Sequence, residues 1–127
     1  MKKEALAGLA STASSGDDNA ANGAQEKMIA AEIYLSLGMS KQAHDAATAA
    51  GEYFSSSGQQ DSELQCSYMA AEASRRLRNE VGYQQFAKKT VDILEELRQT
   101  WGPEPFQRYI KRPDLQGPAQ LLAKTHG

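Results

Sequence analysis

The feature of this sequence that most constrains its fold is a repeat at an offset of 40 residues. The segment at residues 25–32 reads QEKMIAAE, and the segment at residues 65–72 reads QCSYMAAE. The turn at residues 37–40 likewise falls on residues 77–80. Fixed periods of about 20–50 residues are typical of stacked repeat proteins, because one unit cannot bury its apolar face alone. Such proteins usually bind other proteins along an extended surface, so the repeat favours a binding role over catalysis.

Length and composition narrow the class further. With 127 residues, of which 40% are hydrophobic and 24% charged, the chain is sized for one globular domain over residues 1–127. The formal net charge of −2 gives no overall attraction to nucleic acid or to an anionic membrane. The single cysteine, Cys66, excludes an internal disulfide framework and fits a reducing compartment. No apolar run approaches the roughly 18 residues of a transmembrane helix, and the chain begins without an apolar signal core. We therefore expect a cytoplasmic domain whose partners are neither nucleic acid nor membrane.

Apolar residues recur at helical spacing along the chain, and no run alternates as a strand would. The expected class is therefore all-α. The predicted helices cover residues 3–13, 20–37, 40–54, 61–78, 80–101, 106–111 and 118–124. Gly38 is the expected stop of the second helix, because glycine adopts the left-handed conformation at low cost. Ser40 and Asp61 are expected to cap the helices that follow them.

The same spacing predicts which side of each helix faces inward. In helix 20–37 the predicted inward stripe consists of Ile29, Ile33, Tyr34 and Leu37. In helix 40–54 it consists of Ala43, Ala46, Ala47, Ala50 and Phe54, and in helix 61–78 of Leu64, Tyr68, Ala71 and Leu77. In helix 80–101 it consists of Phe86, Thr90, Ile93, Leu94 and Leu97.

Short turns between most of these helices predict antiparallel hairpins. Residues 3–54 would hold one helix of a preceding repeat and the first full hairpin, residues 59–101 the second hairpin, and residues 103–127 a C-terminal cap and tail. The helix at residues 3–13 has no partner before it, which indicates a fragment of a longer array. The alternative is a natural N-terminal cap, since terminal repeats are often atypical.

The first hairpin carries small and aromatic residues at spacings of 3, 4, 5, 4 and 3, namely Ala31, Tyr34, Gly38, Ala43, Ala47 and Ala50. This pattern resembles the tetratricopeptide repeat, in which such residues lie where paired helices touch. The second hairpin departs from the pattern, with Ser74, Arg78 and Tyr83 in place of Tyr, Gly and Ala. The resemblance implies a short right-handed solenoid of about two and a half repeats, with the first helix of each hairpin on its concave face.

The C-terminal segments at residues 94–102 and 106–115 resemble the closing part of tetratricopeptide arrays in large bacterial signalling proteins. Those arrays often follow a kinase, cyclase or ATPase regulatory module. The resemblance implies that residues 103–124 close such an array as its cap.

Three aromatic residues, Trp101, Phe106 and Tyr109, lie near this end of the chain. We expect them to form a lid over Ile93 and Leu97, because a stacked array would otherwise leave its last helix pair exposed to water. The alternative is an exposed cluster that binds a partner, since Trp and Tyr dominate interface energetics.

Residues that usually carry chemistry are few and scattered. His44 and His126 lie beside no Cys, Asp or Glu cluster at metal-ligand spacing, so we expect no metal, no cofactor and no catalytic pair. Cys66 is expected to be a small packed residue and not a nucleophile. The chain is therefore not expected to be an enzyme.

The densest basic group consists of Arg75, Arg76, Arg78, Lys88 and Lys89. Such a group suits an acidic peptide, a carboxylate terminus or a phosphate. The alternative, which the spacing favours, is a solvated face balanced by Glu72 and Glu80.

The expected function is protein–protein interaction on the concave face, within a signalling protein. The residues expected to project there are Gln25, Met28, Glu32, Leu35, Gln65, Tyr68, Glu72, Arg75 and Arg76. Their mixed polar and aromatic character suits an extended or helical peptide, with Arg75 and Arg76 selecting acidic residues. The alternative is an oligomerisation element, a homodimer in which helix 3–13 packs against a second copy.

Overall fold

A computed structural model describes residues 16–126. Every regular element in this range is helical, which confirms the all-α class for the described part of the chain. The elements are α1 (Gly16–Ser36), α2 (Ser40–Ser57), α3 (Gln60–Arg76), α4 (Glu80–Trp101), α5 (Pro103–Ile110), a 3₁₀-helix (Pro113–Leu115) and α6 (Gln116–His126). The helix predicted at residues 3–13 lies outside the described residues.

Three turns of the same conformation separate the first four helices. A residue in the left-handed region occupies the same place in each turn: Gly38 with φ of 78°, Gly58 with φ of 76° and Arg78 with φ of 62°. In every turn this residue donates its N–H to the carbonyl three residues back, and the next residue donates to the carbonyl five back, at 2.8–3.3 Å. These bonds satisfy carbonyls that a helix C-terminus leaves without an intrahelical partner. Since the three positions are 20 residues apart, the 40-residue sequence repeat corresponds to two helix-and-turn units.

Two predicted helix caps are wrong, Ser40 by one residue and Asp61 by two. α2 begins at Ser40 and α3 begins at Gln60, so Ser40 and Asp61 lie within the first turn, and the residues before these helices make no side-chain cap bond. At α4 a side chain does cap the helix, because Asn79 Oδ1 accepts the N–H of Gly82 at 3.0 Å.

The core has two parts, and the first, which we call the alanine cluster, joins α1, α2 and α3. Its buried members are Ala24, Ala31, Ala47, Ala50, Phe54, Cys66, Met69 and Ala70. The small side chains let the helix backbones approach closely. A Cβ atom added at Gly51 of α2 would lie 3.3 Å from the Cβ of Cys66 in α3.

The predicted inward stripe of α1 is wrong. Ile29, Ile33 and Leu37 are 49%, 51% and 65% exposed, whereas Ala24 and Ala31 are buried. The tyrosine of the predicted stripe is only partly buried. α1 carries apolar residues on two opposite sides, and the side with small residues faces α2 and α3 because close helix packing requires small side chains.

The second part of the core, which we call the leucine cluster, consists of Leu64, Ile93, Leu94, Leu97, Phe106 and Leu115. The expected burial of Phe106 is confirmed, since it is 1% exposed. The expected burial of Trp101 is wrong, because it lies at the end of α4 and is 40% exposed. Its ring instead packs edge-to-face on Tyr109 with centroids 4.9 Å apart. Leu115 of the 3₁₀-helix, at 0% exposure, is the second large buried side chain of the C-terminal segment.

Helix packing follows chain order over most of the described residues. Consecutive helices from α1 to α4 pack against each other, and α1 also contacts α3. α5 and α6 pack against α4, and α6 contacts α3 as well. As a result, α1, α3 and α6 border one common surface.

Candidate functional site

A groove on this common surface follows α3 between α1 and the C-terminal residues 113–124. It contains two cavities of about 370 and 510 Å³. Leu35, Tyr68 and Arg76 line both cavities, so the two adjoin at these side chains. The first cavity is further lined by Glu32, Ser36, Gln65, Met69, Asp114 and Pro118. The second is further lined by Ala71, Glu72, Arg75, Tyr83, Gly117, Gln120, Leu121 and Lys124.

Tyr68 is the central side chain of the groove, and the backbone of α6 packs on its ring. A Cβ atom added at Gly117 would lie 2.3 Å from both Cζ and Oη of the Tyr68 ring, so the backbone of α6 rests directly on that ring. Burial disfavours the phenolate and, together with the charge of Glu72, raises the pKa of Tyr68 above its usual value. The hydroxyl therefore stays protonated at neutral pH.

Three charged residues of α3 form a network on one wall of the groove. Glu72 accepts hydrogen bonds from Nε and Nη2 of Arg75 and, at 3.2 Å, from Nε of Arg76. Partial burial opposes ionisation of Glu72, but the two guanidinium groups outweigh it and hold the pKa of the carboxyl below its usual range. Arg76 also donates from Nη1 to the carbonyl of Leu35 at 2.9 Å and so ties α3 to α1. Arg75, with its side chain 58% exposed, is the more available of the two arginines.

Charge is distributed unevenly along the groove. The first cavity carries the carboxylates of Glu32 and Asp114. Asp114 accepts from Gln65 Nε2 at 3.0 Å and from Arg112 Nη2 at 2.6 Å, and the bond from Arg112 holds the pKa of that carboxyl below its usual range. The second cavity carries Lys124 in addition to the arginines of α3. One end of the groove is therefore acidic and the other basic.

Seven of the nine residues expected on the concave face line these two cavities. They are Glu32, Leu35, Gln65, Tyr68, Glu72, Arg75 and Arg76. The other two, Gln25 and Met28, do not line either cavity. Gln25 is exposed on α1, and Met28 is partly buried against the alanine cluster.

The third wall of the groove was not anticipated from the sequence. Asp114, Gly117, Pro118 and Lys124 belong to a segment in which only a weak helix was expected. Nothing local in these residues indicates that they contact α3, because their partners Gln65 and Tyr68 are about 50 positions earlier in the sequence.

The dense basic group does not form one surface patch. Lys88 bonds to Asp92 at 2.9 Å along α4, and Lys89 pairs with Glu63 of α3 at 3.4 Å. Glu80, expected to balance the arginines, instead accepts from Gln84 at 2.7 Å. The basic character of the groove thus comes from α3 and α6.

Cys66 and His44, two other reactive side chains, both pack against neighbouring residues. Burial raises the pKa of the Cys66 thiol to about 12, so the thiolate is not formed at neutral pH. His44 packs edge-to-face on Phe86 at 5.6 Å and lies 3.7 Å from a carboxylate oxygen of Asp45. In the same range, no group of three or more His, Cys, Asp or Glu residues is placed to hold a metal ion. None of the helices described there has the length and apolar character needed to cross a bilayer.

No family model matches the chain, and it shows no significant similarity to a curated protein or to a solved structure.

Proposed function

We propose that this protein is an interaction module that binds a peptide segment of a partner protein in the groove. One observation carries the proposal. Two adjoining cavities are open to solvent, and residues of three separate helices, α1, α3 and α6, form their apolar floor and charged walls. Concave sites that combine apolar side chains with a few polar groups are the usual form of binding sites.

The shape of the groove suits a short peptide. Gln65 and Arg76 mark its two ends on α3, and eleven residues of helix span about 16 Å. An extended peptide rises about 3.3 Å per residue, so about five residues would occupy that length. Leu35, Tyr68 and Met69 would hold an apolar side chain in the middle, while Arg75 and Lys124 would select an acidic residue at one end.

The helices are further proposed to form a short right-handed solenoid of the tetratricopeptide type, with α1 and α3 on the inner surface. The turns at 20-residue intervals and the packing of consecutive helices support this arrangement. A place in a cytoplasmic signalling protein is also proposed, and it rests on the resemblance of residues 94–102 and 106–115 to the ends of such arrays.

A displayed library of random peptides selected against the full chain tests the proposed function. We expect selected peptides to carry an acidic residue near an apolar one, and the double variant Arg75→Glu, Lys124→Glu to weaken their binding at least about tenfold. The loss should be largest at low salt, because screening weakens exposed charge interactions. Isothermal titration at two ionic strengths provides the measurement.

The matched control is Lys41→Glu. Lys41 is an exposed lysine of α2 that pairs with Asp45 at 2.9 Å and lines neither cavity of the groove. Arg76 is left unchanged, because its bond to the Leu35 carbonyl gives it a role in stability. Peptides that bind the double variant and the control equally well would refute the groove as the binding site.

A further inference from the structure

The outer face of α1 is a second exposed apolar surface, separate from the groove. It consists of Ile29, Ala30, Ile33 and Leu37, and its three large members are 49%, 51% and 65% exposed. Successive residues at spacings of three and four share one side of a helix. This side carries no charged residue between positions 29 and 37, and Glu26 lies on it one turn before Ile29. Cores of protein interfaces are likewise poor in charged residues.

The internal repeat shows what covers the equivalent face elsewhere in the molecule. An offset of 40 carries Ile29, Ala30 and Ile33 onto Met69, Ala70 and Ala73 of α3, and it carries Leu37 onto Leu77 in the turn that follows. Met69, Ala70 and Ala73 are buried there, at 6%, 1% and 0% exposure, whereas Leu77 is 43% exposed. Met69 and Ala70 belong to one cluster with residues of α2, the helix that packs across them. The equivalent face of α1 has no described helix across it.

The contact residues of α2 define the chemistry of the occupant. Ala47, Ala50 and Phe54 lie in the cluster with α3, and a Cβ atom added at Gly51 would lie 3.3 Å from the Cβ of Cys66. We propose that the outer face of α1 binds an amphipathic α-helix of a partner protein. That helix presents small residues at spacings of three and four and one large apolar residue a turn beyond. Small residues are required because the bulky isoleucines occupy the space between the helix backbones.

The residues that precede α1 fit this face less well. The same offset carries Ala47 and Ala50 of α2 onto Ala7 and Ala10 but carries Phe54 onto Ser14, so the large apolar contact residue is missing.

The test uses a labelled synthetic peptide with the sequence of residues 40–57, which is α2, titrated with the full chain and followed by fluorescence anisotropy. We expect saturable binding with a Kd on the order of 10–100 µM, since one helix face is small for an interface. Ile33→Glu should weaken binding at least about tenfold, because a carboxylate would be buried without a partner. Ile29→Glu is the second variant on this face.

The matched control is Val81→Glu, since Val81 is 69% exposed on α4 and lies outside the face. Its affinity should stay within about twofold of the parent chain. Lack of saturation at about 1 mM peptide overturns the proposal, and so does equal binding by the Ile33 and Val81 variants. Self-association of the chain that Ile33→Glu abolishes would assign the face to a second copy. Binding seen only after deletion of residues 1–15 would assign it to the chain's own N-terminal segment.

Discussion

The alanine cluster and the leucine cluster both fill the space between helices, but the first does so with small side chains and the second with large ones. Five of the eight buried members of the first are alanines, whereas every member of the second is Leu, Ile or Phe. In the alanine cluster, helix backbones approach closely and little space is left for side chains. In the leucine cluster, large side chains from α3, α4 and the C-terminal segment fill the space between elements. We therefore expect larger side chains in the alanine cluster, and smaller side chains in the leucine cluster, to lower the stability of the protein.

The largest effect is expected from truncation in the leucine cluster. Phe106→Ala should lower the free energy of unfolding by about 3–5 kcal/mol, because it removes a buried ring and leaves a cavity among leucines. Chemical denaturation followed by circular dichroism gives the value. The control is Trp101→Ala, which removes a larger but 40% exposed side chain and should cost clearly less. Equal losses for the two variants would contradict the division between buried and exposed aromatics at this end.

A smaller effect is expected from enlargement in the alanine cluster. Ala47→Leu should cost about 1–3 kcal/mol, because the added atoms must push α2 away from its neighbours. The control on the same helix is Gln42→Leu, whose side chain is exposed, and it should leave the melting temperature nearly unchanged. If Ala47→Leu were as stable as the control, the close approach of α2 to α3 would be in doubt.

The smallest effect is expected in the turns that follow α1 and α3. The turn after α1 has glycine in the left-handed position, whereas the turn after α3 has Arg78 there with φ of 62°. Because a residue with a Cβ atom is disfavoured in that conformation, Arg78→Gly should stabilise the protein by about 0.5–1 kcal/mol. The reverse exchange, Gly38→Ala, should destabilise it by a similar amount. Thermal melts of both variants measure the two shifts, and shifts of the same sign would contradict the equivalence of the turns.

Most helices and turns could be predicted from the sequence because their signals are local. Gly38 ends α1 as expected, and Ile93, Leu94 and Leu97 face inward as their spacing indicates. The inward side of α1 could not be chosen by hydrophobicity alone. Its isoleucines are more hydrophobic than its alanines, yet the alanines are the buried residues, because close contact with α2 and α3 requires small side chains.

The groove was predictable on two of its three walls. The repeat indicated the positions of Glu32 and Tyr68 on their helices, and the resemblance to the tetratricopeptide repeat implied that this side is concave. The wall formed by residues 113–124 depends on contacts between distant parts of the chain, such as the seat of Gly117 on the Tyr68 ring. The weak helical pattern of this short segment does not indicate such a contact.

The long-range bonds of the C-terminal segment also have a consequence for the order of folding. The turns after α1, α2 and α3 join neighbouring helices, so the contacts they organise are local and form early in a low-contact-order chain. The bonds from Gln65 to Asp114 and from Tyr109 to Asp61 join residues 49 and 48 positions apart. Closing such loops costs more chain entropy than closing a short turn. We therefore expect the C-terminal wall to assemble last within the described fold, so that a chain still being synthesised would present α1 to α4 before its groove was complete.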